Sequence, residues 1–209
     1  MGNRTGFLLV VEDDADILKL LEATLTFQGY RVITACNGKE GLDVVQRERP
    51  ALVIADIMMP RLDGFGLVHR LRINPETRDI PVIFITATYV AREDKEFALN
   101  IGVTRFVQKP VDMESFLKLI ADLLQQDKSP AMETLKEFNF YEGYRIRLEA
   151  KLAEKNKQIK RDEHLLGISP EEENQLLRTS LYHSVAEREE LKLLLAQVYE
   201  QLAKFPKRR

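Results

Sequence analysis

Apolar residues in the first 127 positions form short, mostly continuous runs that alternate with stretches of helical periodicity. The runs are Phe7–Val11, Arg31–Ala35, Ala51–Ala55, Val82–Ile85 and Arg105–Gln108. A continuous apolar run is typical of a strand that is buried on both faces of a parallel sheet. Between the runs, apolar residues recur every three or four positions, as from Ile17 to Phe27, where the pattern stops before Gly29, a natural helix C-cap. Five such alternations predict an α/β fold with a doubly wound, five-stranded parallel sheet.

Chemically active side chains follow four of the predicted strands. Asp13 and Asp14 follow the first strand, Asp56 follows the third, Thr86 ends the fourth and Lys109 follows the fifth. The carboxyl ends of parallel strands share one edge of the sheet, and ligands of such folds bind there. Three carboxylates, a hydroxyl and an ammonium at one edge predict a site for a divalent cation and a phosphoryl group.

Each of these residues also has an ordinary structural explanation when taken alone. Asp14 or Asp16 could cap the first helix, and an aspartate after a strand is common turn chemistry. Thr86 could be a β-branched strand residue, Lys109 a solvated lysine and Phe106 a core residue. We favour the functional interpretation because unrelated structural roles would not bring all these positions to the ligand-binding edge of one fold.

Four segments resemble the receiver domain of two-component response regulators, in the right order and spacing. They read VVEDDADILKLL, IADIMMPRLDGFGLVHRLR, PVIFITA and FVQKPVD. The resemblance covers about residues 5 to 125, and the set of motifs is highly specific. It implies a flavodoxin-like sheet of order 2-1-3-4-5 and a protein that signals by phosphorylation.

The resemblance also implies an acceptor and a metal site. Asp56 matches the phosphoacceptor, which takes a phosphoryl group from a histidine kinase or a phosphotransfer protein. Asp13 and Asp14 are expected to hold Mg²⁺ together with Asp56, and the backbone carbonyl of Met58 is expected to be a further ligand. Oxygen donors of this kind suit a hard cation.

The remaining matched positions concern the switch. Thr86 and Phe106 match the residues that change conformation after phosphorylation, and Lys109 matches the lysine that pairs with the phosphate. Movement of these residues is expected to alter the face made by the fourth helix, the fifth strand and the fifth helix. No enzymatic activity is implied beyond self-catalysed phosphotransfer and autodephosphorylation.

Residues 128–209 show a different pattern and are predicted to form a second domain after a receiver domain at 1–127. A loose segment at 125–130 is expected to be a linker, and an α-helical hairpin or coiled-coil-like extension follows it. The first helix has its seam at Phe138, Tyr141, Leu148, Leu152 and Ile159. The second begins near Ser169-Pro170 and has its seam at Leu177, Leu181, Leu191, Leu195, Val198, Leu202 and Phe205, interrupted by Ser184 and Arg188. We expect a homodimer or a helical partner through residues 131–205.

Composition and charge limit the classes of binding partner and the cellular compartment that we expect for this protein. The net charge is −2, and residues 128–209 contain 16 Lys and Arg against 14 Asp and Glu without a dense basic face, so nucleic acid is not expected. No segment approaches the roughly 20 apolar residues that span a bilayer. The single cysteine, Cys36, suits a reducing compartment, and we expect a cytoplasmic protein. His69 is expected to be packed within its helix, and the surroundings of His183 do not resemble a phosphotransfer histidine.

Two classes of function stay open for the output. In the first, phosphorylation controls a helical dimerisation or docking element. In the second, the chain is the receiver portion of a longer regulator whose DNA-binding or enzymatic output is absent here. A metal-dependent hydrolase of the haloacid dehalogenase type is disfavoured because Asp56 follows the third strand rather than the first.

Overall fold

Five parallel strands form one sheet in the order β2-β1-β3-β4-β5, which confirms the predicted doubly wound, flavodoxin-like sheet. The computed structural model describes residues 6–86, 92–125, 137–168 and 174–205. The strands are β1 (Leu8–Val11), β2 (Val32–Ala35), β3 (Leu52–Asp56), β4 (Val82–Thr86) and β5 (Arg105–Gln108). The first three begin one residue later than predicted, and β3 and β4 end one residue later, so that Asp56 and Thr86 are the last residues of their strands.

Helices cover both faces of this sheet. They are α1 (Ala15–Phe27), α2 (Gly38–Arg47), α3 (Gly64–Ile73), α4 (Arg92–Asn100) and α5 (Met113–Gln125). On one face, α1 and α5 pack their buried side chains against β1, β3 and β4, in a cluster that includes Leu25 and Phe116. On the other face, Phe65 of α3 makes ring contacts with Phe84 of β4 and Phe97 of α4.

Side-chain caps set where the helices begin. Asp14, Asn37 and Asp63 stand before α1, α2 and α3, and each accepts a hydrogen bond from a backbone N–H group of the first turn. The predicted end of α1 is also confirmed, because Gly29 adopts φ +81° and its N–H donates to Thr26. These local signals fix the loops that leave the carboxyl edge of the sheet.

The chain divides into two units, Met1–Leu135 and Lys136–Arg209. The second unit is the predicted helical hairpin, made of α6 (Glu137–Ile168) and α7 (Asn174–Leu202). Its helices run antiparallel, because Lys155 lies 2.5 Å from Glu187 and the Phe138 ring packs on Phe205. Of the expected seam residues, Leu148, Ile159, Leu191 and Val198 are buried and the others are partly buried, and Ser184 is buried as well, at 3% exposed.

Several predictions concern positions that lie outside the described residues. These are most of the linker at 125–130, the boundary after residue 127 and the start of the second hairpin helix at Ser169-Pro170. The division into domains at 127 therefore stays a prediction. Within the described ranges, no helix combines the length and the apolarity that crossing a membrane requires.

Candidate functional site

The carboxyl edge of the sheet brings the ends of neighbouring strands to one level. Val11 of β1 is in register with Ala55 of β3, so the residues that follow them, Glu12 and Asp56, leave adjacent strands side by side. Asp56 is in register with Ile85 of β4, and Thr86 follows it. The predicted active edge is therefore formed by strands that hydrogen-bond to one another.

Three carboxylates gather at this edge. Oxygen atoms of Glu12, Asp13 and Asp56 all lie within 4.8 Å of one another. Glu12 is 3% exposed and Asp56 is 8% exposed, whereas Asp13 faces solvent. Carboxylates so close together repel one another when all are ionised, so the group favours a bound cation.

The acidic pair that meets Asp56 is Glu12-Asp13, and not the predicted Asp13-Asp14. The Asp14 carboxylate is the N-cap of α1, where its Oδ1 accepts hydrogen bonds from the N–H groups of Asp16 at 2.9 Å and Ile17 at 3.1 Å. Because β1 ends at Val11, the first two acidic residues occupy the turn above the sheet and the third begins the helix. Asp14 as a metal ligand stays a prediction, and the carboxylate that lies beside those of Asp13 and Asp56 is that of Glu12.

Lys109 reaches into the acidic group from the end of β5. Its Nζ lies 2.8 Å from Oε2 of Glu12 and 3.2 Å from Oδ1 of Asp56. Its backbone N–H donates to the carbonyl of Thr86 at 2.9 Å, and its bond to Pro110 is cis. The predicted lysine is therefore placed against the predicted acceptor.

Burial dominates the electrostatics of the site. It raises the pKa of Glu12, although the hydrogen bond from Lys109 opposes this, and partial desolvation of the more exposed Asp13 carboxylate raises the pKa of Asp13 as well. Burial alone would lower the pKa of Lys109, but the hydrogen bond and charge of Glu12 and the charge of Asp56 raise it above its ordinary value. The ammonium is therefore held in its charged form between two carboxylates.

The donor set fits a hard divalent cation. All three members offer carboxylate oxygen, and two are held in place by burial and by Lys109. Mg²⁺ prefers oxygen ligands and commonly binds through one or two carboxylates, with water and phosphate oxygens completing its shell. Glu12, Asp13 and Asp56 are the residues that could hold it.

The loop after β3 orients Asp56. The N–H of Met58 donates to Oδ2 of Asp56 at 2.7 Å, and the N–H of Gly64 donates to the carbonyl of Ile57 at 2.9 Å. A Cβ at Gly64 would lie 2.5 Å from the carbonyl oxygen of Asp56, so this close return of the chain requires glycine. The carbonyl of Met58 as a metal ligand stays a prediction.

The two predicted switch residues lie on neighbouring strands. Thr86 is buried at the end of β4, and Phe106 is half-buried on β5. The Phe106 ring packs edge-on against Phe84 at 5.6 Å, two residues before Thr86. Their roles as switch residues stay predictions.

Glu12 is the site residue that sequence reasoning missed. The signal was present, because a helix that begins at Ala15 makes Asp14 its N-cap, which leaves Glu12-Asp13 as the acidic pair that does not cap the helix. The predicted strand and β1 both end at Val11, so the difference lies only in which acidic residue caps the helix.

Comparison with known proteins agrees with this geometry. Residues 8–121 match the response regulator receiver domain family, and α6 and α7 lie outside the match. The "Probable transcriptional regulator ycf27" of Porphyra purpurea is 40% identical over 126 residues, which are 60% of this chain and 50% of that protein. GlrR of Escherichia coli K12, a transcriptional regulatory protein, is 38% identical over 138 residues, 66% of this chain and 30% of that protein. The chain therefore spans half or less of these two relatives.

A solved structure supports the same assignment. The chemotaxis response regulator CheY4 of Vibrio cholerae superposes with a TM-score of 0.53 at 30% identity, covering 56% of this chain and 98% of that one. The match in sequence, the strand order 2-1-3-4-5 and the clustered carboxylates agree. The chain belongs to the response regulator receiver domain family.

Proposed function

We propose that this chain is a phosphorylation-controlled response regulator in which Asp56 accepts a phosphoryl group from a histidine kinase or a phosphotransfer protein. The observation that carries this proposal is the position of Asp56, which lies 3.2 Å from the Lys109 ammonium and within the group of three carboxylates. A carboxylate nucleophile beside a cation site and an ammonium suits in-line attack on phosphorus.

The chemical step is a transfer between two side chains. An oxygen of Asp56 attacks the phosphorus of a phosphohistidine, and the new P–O bond forms as the P–N bond breaks. The histidine nitrogen keeps the electron pair of the broken bond and takes a proton from solvent. The N–H of Met58 keeps the Asp56 carboxylate oriented, and Lys109 pairs with the phosphoryl oxygens as a point charge on a flexible stem.

We assign the metal site to Glu12, Asp13 and Asp56, with the carbonyl of Met58 as a further expected ligand. When bound, Mg²⁺ neutralises negative charge on the carboxylates and on the transferring phosphoryl group. Asp14 keeps its place as the cap of α1, so the ligand set contains Glu12 instead.

The proposed switch follows from the strand ends. The hydroxyl of Thr86 donates a charge-assisted hydrogen bond to the phosphorylated Asp56, and Phe106 turns inward from its half-buried position beside Phe84. The face formed by α4, β5 and α5 then changes shape. Couplings of this type are typically worth about 1–3 kcal/mol.

The output is assigned to the helical hairpin of α6 and α7 as a dimerisation or docking module in a cytoplasmic protein. The two regulators named above are at least twice as long as the segment they share with this chain, so a longer regulator with a separate output stays the alternative.

Phosphorylation by a small-molecule donor tests the acceptor. With phosphoramidate and Mg²⁺, intact mass spectrometry should show one added phosphoryl group on the wild-type chain and none on Asp56→Asn. Asp14→Asn is the matched control because asparagine also caps helices, and it should still be phosphorylated. A phosphorylated Asp56→Asn chain would overturn the proposal.

Solution mass tests the output. Light scattering with Mg²⁺, before and after addition of beryllofluoride as a phosphoryl mimic, should show a change in mass that Asp56→Asn lacks. An unchanged mass would assign the output to partner docking, or to rearrangement within a fixed oligomer, instead of switched assembly.

A further inference from the structure

A buried guanidinium lies at the opposite end of β5 from Lys109. Arg72, in the last turn of α3, is 7% exposed. Its Nε and Nη2 both donate to the carbonyl oxygen of Gly102, at 3.1 Å and 2.7 Å, and its Nη1 has no hydrogen-bond acceptor in the part of the chain that the structure describes. Burial lowers its pKa to about 10, while the charge of Asp79 opposes this, so the group remains charged at neutral pH. Removing a charge from water costs free energy, so packing alone does not explain why Arg72 is buried.

Gly102, whose carbonyl oxygen Arg72 binds, lies at the turn that ends α4. Gly102 adopts φ +97°, its N–H donates to Leu99, and the N–H of Val103 donates to Ala98. A Cβ at Gly102 would lie 2.6 Å from Nε of Arg72, so the guanidinium sits directly against the backbone. A cation at this position also interacts favourably with the negative end of the helix dipole.

The next residue along the chain ties the same junction to the sheet. The N–H of Thr104 donates to the carbonyl of Val82 at 2.8 Å, and the Thr104 hydroxyl accepts from the N–H of Val82 at 3.0 Å. Residues 101–104 are therefore held by α3 on one side and by β4 on the other. Four residues further on, β5 ends in Gln108 and delivers Lys109 to the acidic group.

We propose that Arg72 is a positioning residue that makes the junction between α4 and β5, residues 101–104, the fixed end about which the face of α4, β5 and α5 moves when Asp56 is phosphorylated. This inference rests on the proposed function. Displacement is then smallest at the junction and grows toward the first turns of α4 and toward Phe106 and Lys109. Because Arg72 holds residues 101–104, the first turns of α4 and the end of β5 can move while the junction stays in place.

Hydrogen exchange of the full chain, with Mg²⁺ and with or without beryllofluoride, tests the inference. In the wild type, beryllofluoride should change exchange at residues 92–97 and 106–109 and leave 101–104 protected. In Arg72→Met, exchange at 101–104 should rise about tenfold or more, because local opening no longer breaks a charge-assisted contact, and the response to beryllofluoride should extend along all of α4. Arg72→Lys, which keeps the charge but loses the two-nitrogen fork, should be intermediate and serves if the methionine variant does not fold.

Arg105→Met is the matched control. Arg105 is exposed and donates to the neighbouring carbonyl of Thr104 at 2.7 Å, so its loss should leave both patterns unchanged. The inference is overturned if wild-type residues 101–104 respond as strongly as 92–97, or if Arg72→Met exchanges there within about twofold of the wild type. Beryllofluoride that changes exchange nowhere in the wild type would instead refute the proposed switch, and the comparison of Arg72→Met with Arg105→Met would still show whether Arg72 holds the junction.

Discussion

Lys109 contacts Glu12 more closely than it contacts Asp56, with its Nζ at 2.8 Å from the first carboxylate and 3.2 Å from the second. Glu12 is almost fully buried and has no role as an acceptor in the proposed function. In the proposed function, Lys109 follows the phosphoryl group on Asp56 while Glu12 continues to hold the lysine. We therefore expect the contact between Lys109 and Glu12 to persist when Asp56 is phosphorylated.

Removing the lysine should leave two buried carboxylates without their cation. We expect Lys109→Met to lower the free energy of unfolding by about 1–3 kcal/mol in the absence of Mg²⁺, because charged acceptors lose a buried donor. Added Mg²⁺ should restore more stability in this variant than in the wild type. Urea denaturation with and without Mg²⁺ measures both effects. Lys118→Met removes an exposed lysine from α5 and should change neither value.

Substitutions of the acidic residues that follow β1 should distinguish a metal ligand from the cap of α1. Glu12→Gln should weaken Mg²⁺ binding by at least about tenfold, while Asp14→Asn should leave it unchanged. Asp14→Ala should lower stability by about 1 kcal/mol through loss of the cap and still bind Mg²⁺. A magnesium titration of the three variants distinguishes the residues. Loss of Mg²⁺ binding in Asp14→Asn would return Asp14 to the ligand set.

Stability at acid pH should depend on His69 in α3. This side chain is 6% exposed, and burial lowers its pKa from 6.5 to about 4. Between these values the unfolded chain binds more protons than the folded chain, so the free energy of unfolding falls as the pH is lowered from 6.5 to 4. The contribution of neutral His69 to the free energy of unfolding is at most about 3 kcal/mol, and it is fully present only above pH 6.5.

His69→Leu should lose this part of the pH dependence. Urea denaturation of both proteins across that pH range measures the difference, and the carboxylates contribute equally to each protein. Equal slopes in the two proteins would show that His69 is not buried in its neutral form.

A side chain at Gly64 should disturb the acceptor loop. Its Cβ would lie 2.5 Å from the carbonyl oxygen of Asp56 and 3.0 Å from Cα of Ile57, and backbone atoms cannot rotate away. We expect Gly64→Ala to lower stability by about 1–3 kcal/mol and to slow phosphorylation by phosphoramidate. Gly167→Ala in α6 has no atom within 4 Å of the added Cβ and should be neutral or stabilising by up to about 1 kcal/mol. Equal rates of phosphorylation in the wild type and Gly64→Ala would contradict the role of this loop.

Most of the receiver fold was predictable because its strands are short, mainly apolar runs that alternate with stretches of helical periodicity. Asp56, Thr86 and Lys109 could be assigned to one edge since parallel strands place their carboxyl ends together. The place of Asp14 was harder to predict because three consecutive acids separate β1 from α1, and periodicity alone does not say which of them caps the helix. The hydrogen bonds that Asp14 accepts from the N–H groups of Asp16 and Ile17 identify it as the cap.

Other features come from contacts that no local pattern contains. Arg72 and Gly102 are brought together by the packing of α3 against the end of α4, and a lone arginine in a helix is ordinarily taken as solvated. In the hairpin, a heptad pattern identified the seam, but Phe140, Tyr144 and Leu194 beside it are also buried. Whether a residue beside the seam is buried depends on how the two helices pack, and the spacing of apolar residues along one helix does not describe that packing.

The first residue of α1 also affects the charge balance of the acidic edge. Because the helix begins at Ala15, directly after its cap, the first turn of the helix starts two residues along the chain from Asp13. The aligned peptide dipoles place about half a positive elementary charge at that terminus. The backbone of α1 therefore contributes a permanent positive potential next to Glu12 and Asp13. Unlike the charge of Lys109, it does not titrate, and substitution of a single side chain does not abolish it.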